Sequence, residues 1–178
     1  MKKTSKFVML SLLCLIINLF LTPIQAQKSA LQNSDFSTIN QEWKGQLQYL
    51  NYGDDKSIVK IPCTLKTDFI DGKINSFIEF DEKDGNGKKM TSEAKFYLSE
   101  DGKYFMIDQE KWEIISTKKT DQIIQIIAKK RGEDKNRAAD MRTTWRLEKG
   151  NSITWKKDIR YDGTKDFFNR NSFTFSKK

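Results

Sequence analysis

The sequence predicts an all-β domain, built as an antiparallel sandwich or an up-and-down barrel. Three observations carry that expectation. About ten short segments alternate apolar and polar residues or run apolar. Gly, Asp and Asn turn signals separate them every 8–14 residues or so. No stretch after the N-terminus sustains the period of a long amphipathic helix.

The first residues read as an export signal over residues 1–26. Lys2, Lys3 and Lys6 form a basic start, and Phe7 to Leu21 is uncharged and mostly apolar. Ile24-Gln25-Ala26 offers a small residue at a cleavage position. The apolar run is short for a membrane span, which needs about 20 residues; an uncleaved anchor is the alternative. Cys14 follows Leu13 where a lipid-attachment box needs a small residue, so no lipidated cysteine is read there. Cleavage leaves residues 27–178, the size of one domain.

The chain has 32 basic and 24 acidic residues, a net charge of +8. The signal holds three of the lysines and no acid, so the mature chain falls to +5. That mild excess suits an anionic lipid, polysaccharide or acidic ligand. It lacks the dense basic patch of a nucleic-acid binder. After cleavage Cys63 is the one cysteine and no internal disulfide can form. Histidine is absent throughout, so the commonest general base is missing, and Cys63 reads as a buried structural thiol rather than an activated nucleophile.

Lys28 to Asn40 is polar and reads as a flexible leader or a short helical turn. Strand candidates follow at Trp43 to Tyr52, Ser57 to Phe69, Lys73 to Phe80, Met90 to Leu98, Tyr104 to Ile107, Trp112 to Ser116 and Asp121 to Lys129. Pro62 inside the second suggests an edge or a bulge. Arg131 to Asn136 reads as a polar loop, Lys165 to Asn169 as a helical turn, and Asn171 to Ser176 as the last strand.

The clearest stretch is Ala139 to Tyr161. Met141, Thr143, Trp145 and Leu147 alternate with charged and polar residues, as do Ile153, Trp155, Ile159 and Tyr161. Lys157 is the one charge on the apolar face. A three-residue turn at Lys149-Gly150-Asn151 sets a register with Glu148 opposite Ser152. Trp145 then faces Trp155, Met141 faces Ile159, Arg142 meets Asp158 and Asp140 meets Arg160. A slip of one residue would set apolar side chains against charges. The polar face reads as a solvated, ion-paired exterior or as a binding site; the sequence leaves open which face lies inside a barrel.

Glu82 to Glu93 has nearly the spacing of a calcium-binding EF-hand loop, but Glu stands at the first place, Lys89 at the eighth, and the flanks read as strands. A hairpin turn accounts for the same residues, and no metal site is assigned. Asp134, Asp140, Asp158 and Asp162 offer carboxylates with no spacing that marks an acid and a base. There is no nucleophile elbow, phosphate loop or zinc spacing. No catalytic residue and no cofactor is assigned.

The size, the export signal, Trp43 near the start of the first strand and Arg170 before the last resemble the lipocalin-like, or calycin, barrels. The glycine follows rather than precedes the tryptophan here, in Trp43-Lys44-Gly45. The segments 43–50, 134–142 and 167–173 are also similar to a group of small exported bacterial lipocalin-like proteins without an assigned activity. The resemblance implies an antiparallel up-and-down barrel of about 8–10 strands, with Trp43 packed beneath Arg170 at its closed end. It implies a cavity but no particular ligand, and the first expectation is that a small hydrophobic or amphipathic molecule binds inside. Trp145 and Trp155 would line the cavity, and Arg137, Arg142 or Arg160 would meet an acidic head group if the charged face turns inward. The protein would be periplasmic or secreted. The alternatives are an interaction module touching envelope components through its outer face, and a barrel enzyme using carboxylate acid–base chemistry.

Overall fold

Period-two alternation builds ten antiparallel strands, and the first pairs with the last. The computed structural model describes residues 30–83 and 85–178; the expected export signal lies outside them. The strands are β1 (Gln41–Leu50), β2 (Ile58–Ile70), β3 (Lys73–Lys83), β4 (Lys89–Leu98), β5 (Tyr104–Ile107), β6 (Glu110–Lys119), β7 (Ile123–Asp134), β8 (Arg137–Glu148), β9 (Ser152–Tyr161) and β10 (Phe168–Lys177). Each pairs with its neighbours in sequence, and β1 pairs with β10 to close the barrel. The fold is an up-and-down barrel, and the sandwich alternative falls. Closure leaves no sheet edge along most of the wall.

The β8–β9 hairpin has the expected register. Trp145 pairs with Trp155, Met141 with Ile159, Arg142 with Asp158, Asp140 with Arg160 and Glu148 with Ser152. Gly150 takes the left-handed conformation in the turn, at φ 75°. The apolar face points inward: Met141, Thr143, Trp145, Leu147, Ile153 and Ile159 are all buried.

One end of the barrel is sealed. A 3-10 turn, Asn33–Phe36, lies across it. Its Phe36 ring meets Trp145 edge-on, with centroids 5.4 Å apart. Asn33 accepts from the Leu98 amide at 2.7 Å and donates to the Leu98 carbonyl at 3.1 Å, fastening the turn to β4. Asp35 pairs with Lys119 at 2.8 Å. The Trp43 indole donates to the Thr67 hydroxyl at 3.0 Å, which in turn donates to the Ile39 carbonyl at 2.6 Å. Gly45 is required beside them: a Cβ there would lie 2.0 Å from the Thr174 carbonyl oxygen.

Two local expectations change. Residues 131–134 continue β7, and the turn to β8 is only Lys135-Asn136, both at positive φ of 52° and 60°. This is the two-residue hairpin geometry that matches strand twist, so a polar run conceals a strand. Residues 165–169 form no helical turn, and β10 begins at Phe168.

Candidate functional site

At the other end the wall opens between β2 and β3. Their ladder runs from Ile70–Lys73 to Cys63–Phe80 and stops there. Pro62 sits one residue beyond the last pair, where β2 has lost that neighbour and a missing N–H costs no ladder bond. β3 bends too: its pairing with β4 shifts register between Glu79 and Lys83. Proline's expected edge is therefore local, created by strands parting within a closed barrel.

The parted wall exposes a pocket of about 370 Å³. Leu47, Tyr49, Ile61, Phe80 and Phe173 supply its apolar lining, and Asn171 and Glu82 supply its polar part. Tyr52 and Met90, each 47% exposed, stand at its rim. The volume lies within the range of small-molecule sites, roughly 300–1,000 Å³.

Deeper inside the barrel there is almost no free space. A cavity of about 20 Å³ lies between Leu65, Ile74, Phe96, Trp145, Trp155 and Phe175, room for about one water. Trp145 is 2% exposed and belongs to the core. Trp155 links the two regions: its ring stacks on Phe173 of the pocket and meets Phe96 of the core edge-on, at 5.3 and 4.8 Å. Its indole donates to the Thr143 hydroxyl at 3.1 Å.

A second cluster closes part of the open end. Arg170 is fully buried. It donates to Asp55 at 2.9 Å, to Asp134 at 2.8 Å and to the Tyr161 hydroxyl at 2.6 Å. Tyr161 donates to the same Asp134 oxygen at 2.7 Å. Lys135 adds bonds to Asp55 and to the Tyr52 carbonyl. The β1–β2 loop and the β7–β8 turn are thereby tied to the facing ends of β9 and β10. Hydrogen bonds from Lys135 and Arg170 hold the Asp55 carboxyl below its ordinary value. Burial raises the Tyr161 hydroxyl, and its bond to Asp134 adds to the effect. For Arg170, burial works against the charge, but Asp55 and Asp134 outweigh it and the net direction is upward.

The residues singled out from sequence fall in different places. Arg142 and Arg160 point outward, paired with Asp158 at 2.9 Å and Asp140 at 2.7 Å, and they flank Phe167 on the outer surface. The inward charged face that would bring them to an interior ligand does not occur. Arg137 lies at the open rim with its guanidinium 3.7 Å from the Tyr161 ring centroid. Trp43 and Arg170 do not pack together. Trp43 pairs with Lys177 at the sealed end, while Tyr49 pairs with Asn171 at the other end, about 20 Å along the strand. Arg170 fastens the open end instead. Cys63 is buried, and burial pushes its thiol up to about 11. The Glu82 to Glu93 segment is the β3–β4 hairpin, with Glu93 opposite Phe77 on the ladder.

The pocket residues come from β1, the β1–β2 loop, β2, β3, β4 and β10; Leu47, Tyr49, Asn171 and Phe173 lie in the segments 43–50 and 167–173, but no local pattern marks them as a lining. The signals available were Pro62, which marks where β2 loses its neighbour, and Lys157, the lone charge on an apolar face.

No family model matches the chain, and no curated protein matches it. Among solved structures the barrel is similar to the crystal structure of Rv2717c from M. tuberculosis, with a TM-score of 0.51. The match covers 82% of this chain and 96% of that one at 7% identity. At that identity the likeness speaks to the fold alone.

Proposed function

We propose that this chain is an exported, lipocalin-like barrel that holds a small, largely apolar molecule in the pocket at its open end. One observation carries the reading. Among the described residues the space around Trp145 holds about 20 Å³, whereas where β2 and β3 part a ligand-sized space of about 370 Å³ is lined by Leu47, Ile61, Phe80 and Phe173. Burying apolar surface there is worth roughly 25 cal/mol per Å² before the costs of association. Export rests on the basic start, apolar run and Ala26 cleavage position. The reading involves no catalytic step and no cofactor.

The test is native mass spectrometry on the protein purified from its own host. A discrete added mass together with a chain beginning at Gln27 is expected. A chain that keeps residues 1–26, or a bare chain that also takes up no apolar probe, overturns the corresponding half of the reading.

A second reading has its own observation. The outer face carries a groove of about 480 Å³ between Lys66, Lys73, Lys95, Glu93, Tyr97 and the 40%-exposed Phe77. That surface suits contact with an envelope component. Charge reversal at Lys66 and Lys73 would abolish such contact and leave pocket binding unchanged.

A further inference from the structure

Lys157 lies on the inner face of the wall. It pairs with buried Thr143 on β8 and with Asn171 on β10, and buried Ile159 shares its strand face. Four cations are sheltered on the inner face among the described residues: Lys119, Lys130, Lys157 and Arg170. Three have counter-ions. Lys119 meets Asp35, Lys130 meets Glu110 at 2.5 Å, and Arg170 meets Asp55 and Asp134. The Lys157 carbonyl accepts from the Asn169 amide at 3.4 Å, but its ammonium makes no hydrogen bond or ion pair with any described residue.

An unpaired charge in a half-buried wall is costly, and sheltered charges are ordinarily paired. Burial already pushes the Lys157 ammonium below its ordinary value, with Asp134 opposing the shift and Lys130 adding to it. Among the described residues no carboxylate stands within ion-pair distance of this ammonium, and Asp134 and Glu110 act on it only from farther off. Its place relative to the pocket is defined: Asn171, directly across from Lys157, lines the pocket, and Phe173 of the apolar lining faces Trp155, the next inward residue on β9. Polar and apolar walls therefore meet within one ladder.

We infer that Lys157, with Asn171 beside it, binds the anionic head of a single-headed amphipathic acid whose apolar tail fills the pocket between Leu47, Ile61, Phe80 and Phe173. This rests on the pocket reading above and adds the class of ligand. A carboxylate would accept from the ammonium and from the Asn171 amide, and charge-assisted bonds of this kind are the strong ones.

Isothermal titration with dodecanoate, methyl dodecanoate and dodecylamine tests it. The wild type is expected to favour dodecanoate over its ester by about tenfold, and the amine least. Lys157→Met should lower dodecanoate affinity about tenfold and leave the ester unchanged. Lys157→Arg should keep the preference for the acid. Lys157→Met removes an uncompensated charge, so it should melt no lower than the wild type, which makes misfolding a visible alternative. If the ester binds but the acid is not preferred, or Lys157→Met keeps the preference, the inference is overturned and the pocket stands. If none of the three binds, the pocket reading falls and the inference falls with it.

Discussion

The indole of Trp155 stacks on the ring of Phe173, with centroids 5.3 Å and planes 22° apart. This contact joins the packed half of the barrel to the half with space. A ligand resting on Phe173 sits within one ring of a tryptophan, so its arrival should quench or shift Trp155 emission. Trp155→Phe is expected to remove that signal while an independent titration still reports binding. Phe173→Ala should weaken an apolar probe several-fold, since a stacked ring contributes about 0.5–1.5 kcal/mol beyond its buried area. Fluorescence and calorimetry on the two variants check both.

Arg170 fastens the β1–β2 loop and the ends of β7 and β9 together at the open end through Asp55, Asp134 and Tyr161. Arg170→Met strands the buried Asp134 carboxylate without its cation, and breaking a buried pair from one side costs about 3–5 kcal/mol. Urea unfolding should show that loss. The double variant Arg170→Met with Asp134→Asn should recover part of it, because no uncompensated charge remains.

The outer ion pairs should matter little. Arg142 and Arg160 are each partly solvated beside their carboxylates. Arg142→Ala is expected to cost less than about 1 kcal/mol and to leave probe affinity unchanged. A large drop in affinity in a folded Arg142→Ala protein would place the ligand on the outside.

Acid should loosen the protein through groups whose carboxyl values fall on folding. Asp55, Asp140 and Asp162 are all held below 3.8 by neighbouring lysine or arginine hydrogen bonds. A folded value below the unfolded one means stability that is fully present above 3.8 and lost as pH falls through the folded values. Thermal melts from pH 6 to pH 2.5 should therefore be flat at first and decline below about pH 4. Asp55→Asn should flatten the decline.

Much of the fold was legible because strands write themselves as alternation. Trp145 against Trp155 and Arg142 against Asp158 follow from the turn at Gly150 and the pleat alone. The places that misread are those where tertiary context decides. Arg131 to Asp134 look like loop, yet long pairing with β8 carries them as strand. The sealed end hides Phe36 beneath Trp145, and no local pattern announces that plug. The pocket was not legible because it arises from an interrupted ladder, a relation between β2 and β3 rather than a property of either. Lys157 was visible as an exception on an apolar face, but its lack of a counter-ion required the structure.

The central claim is that a small apolar molecule binds where β2 and β3 part. Titration of N-phenyl-1-naphthylamine into the wild type and into Leu47→Trp tests it most directly. The bulkier inward side chain occupies the pocket without touching the sealed end. Saturable one-site binding by the wild type is expected, with at least a tenfold loss in a Leu47→Trp protein of unchanged melting temperature. Equal affinity in the two proteins, or no uptake by the wild type, would contradict the account.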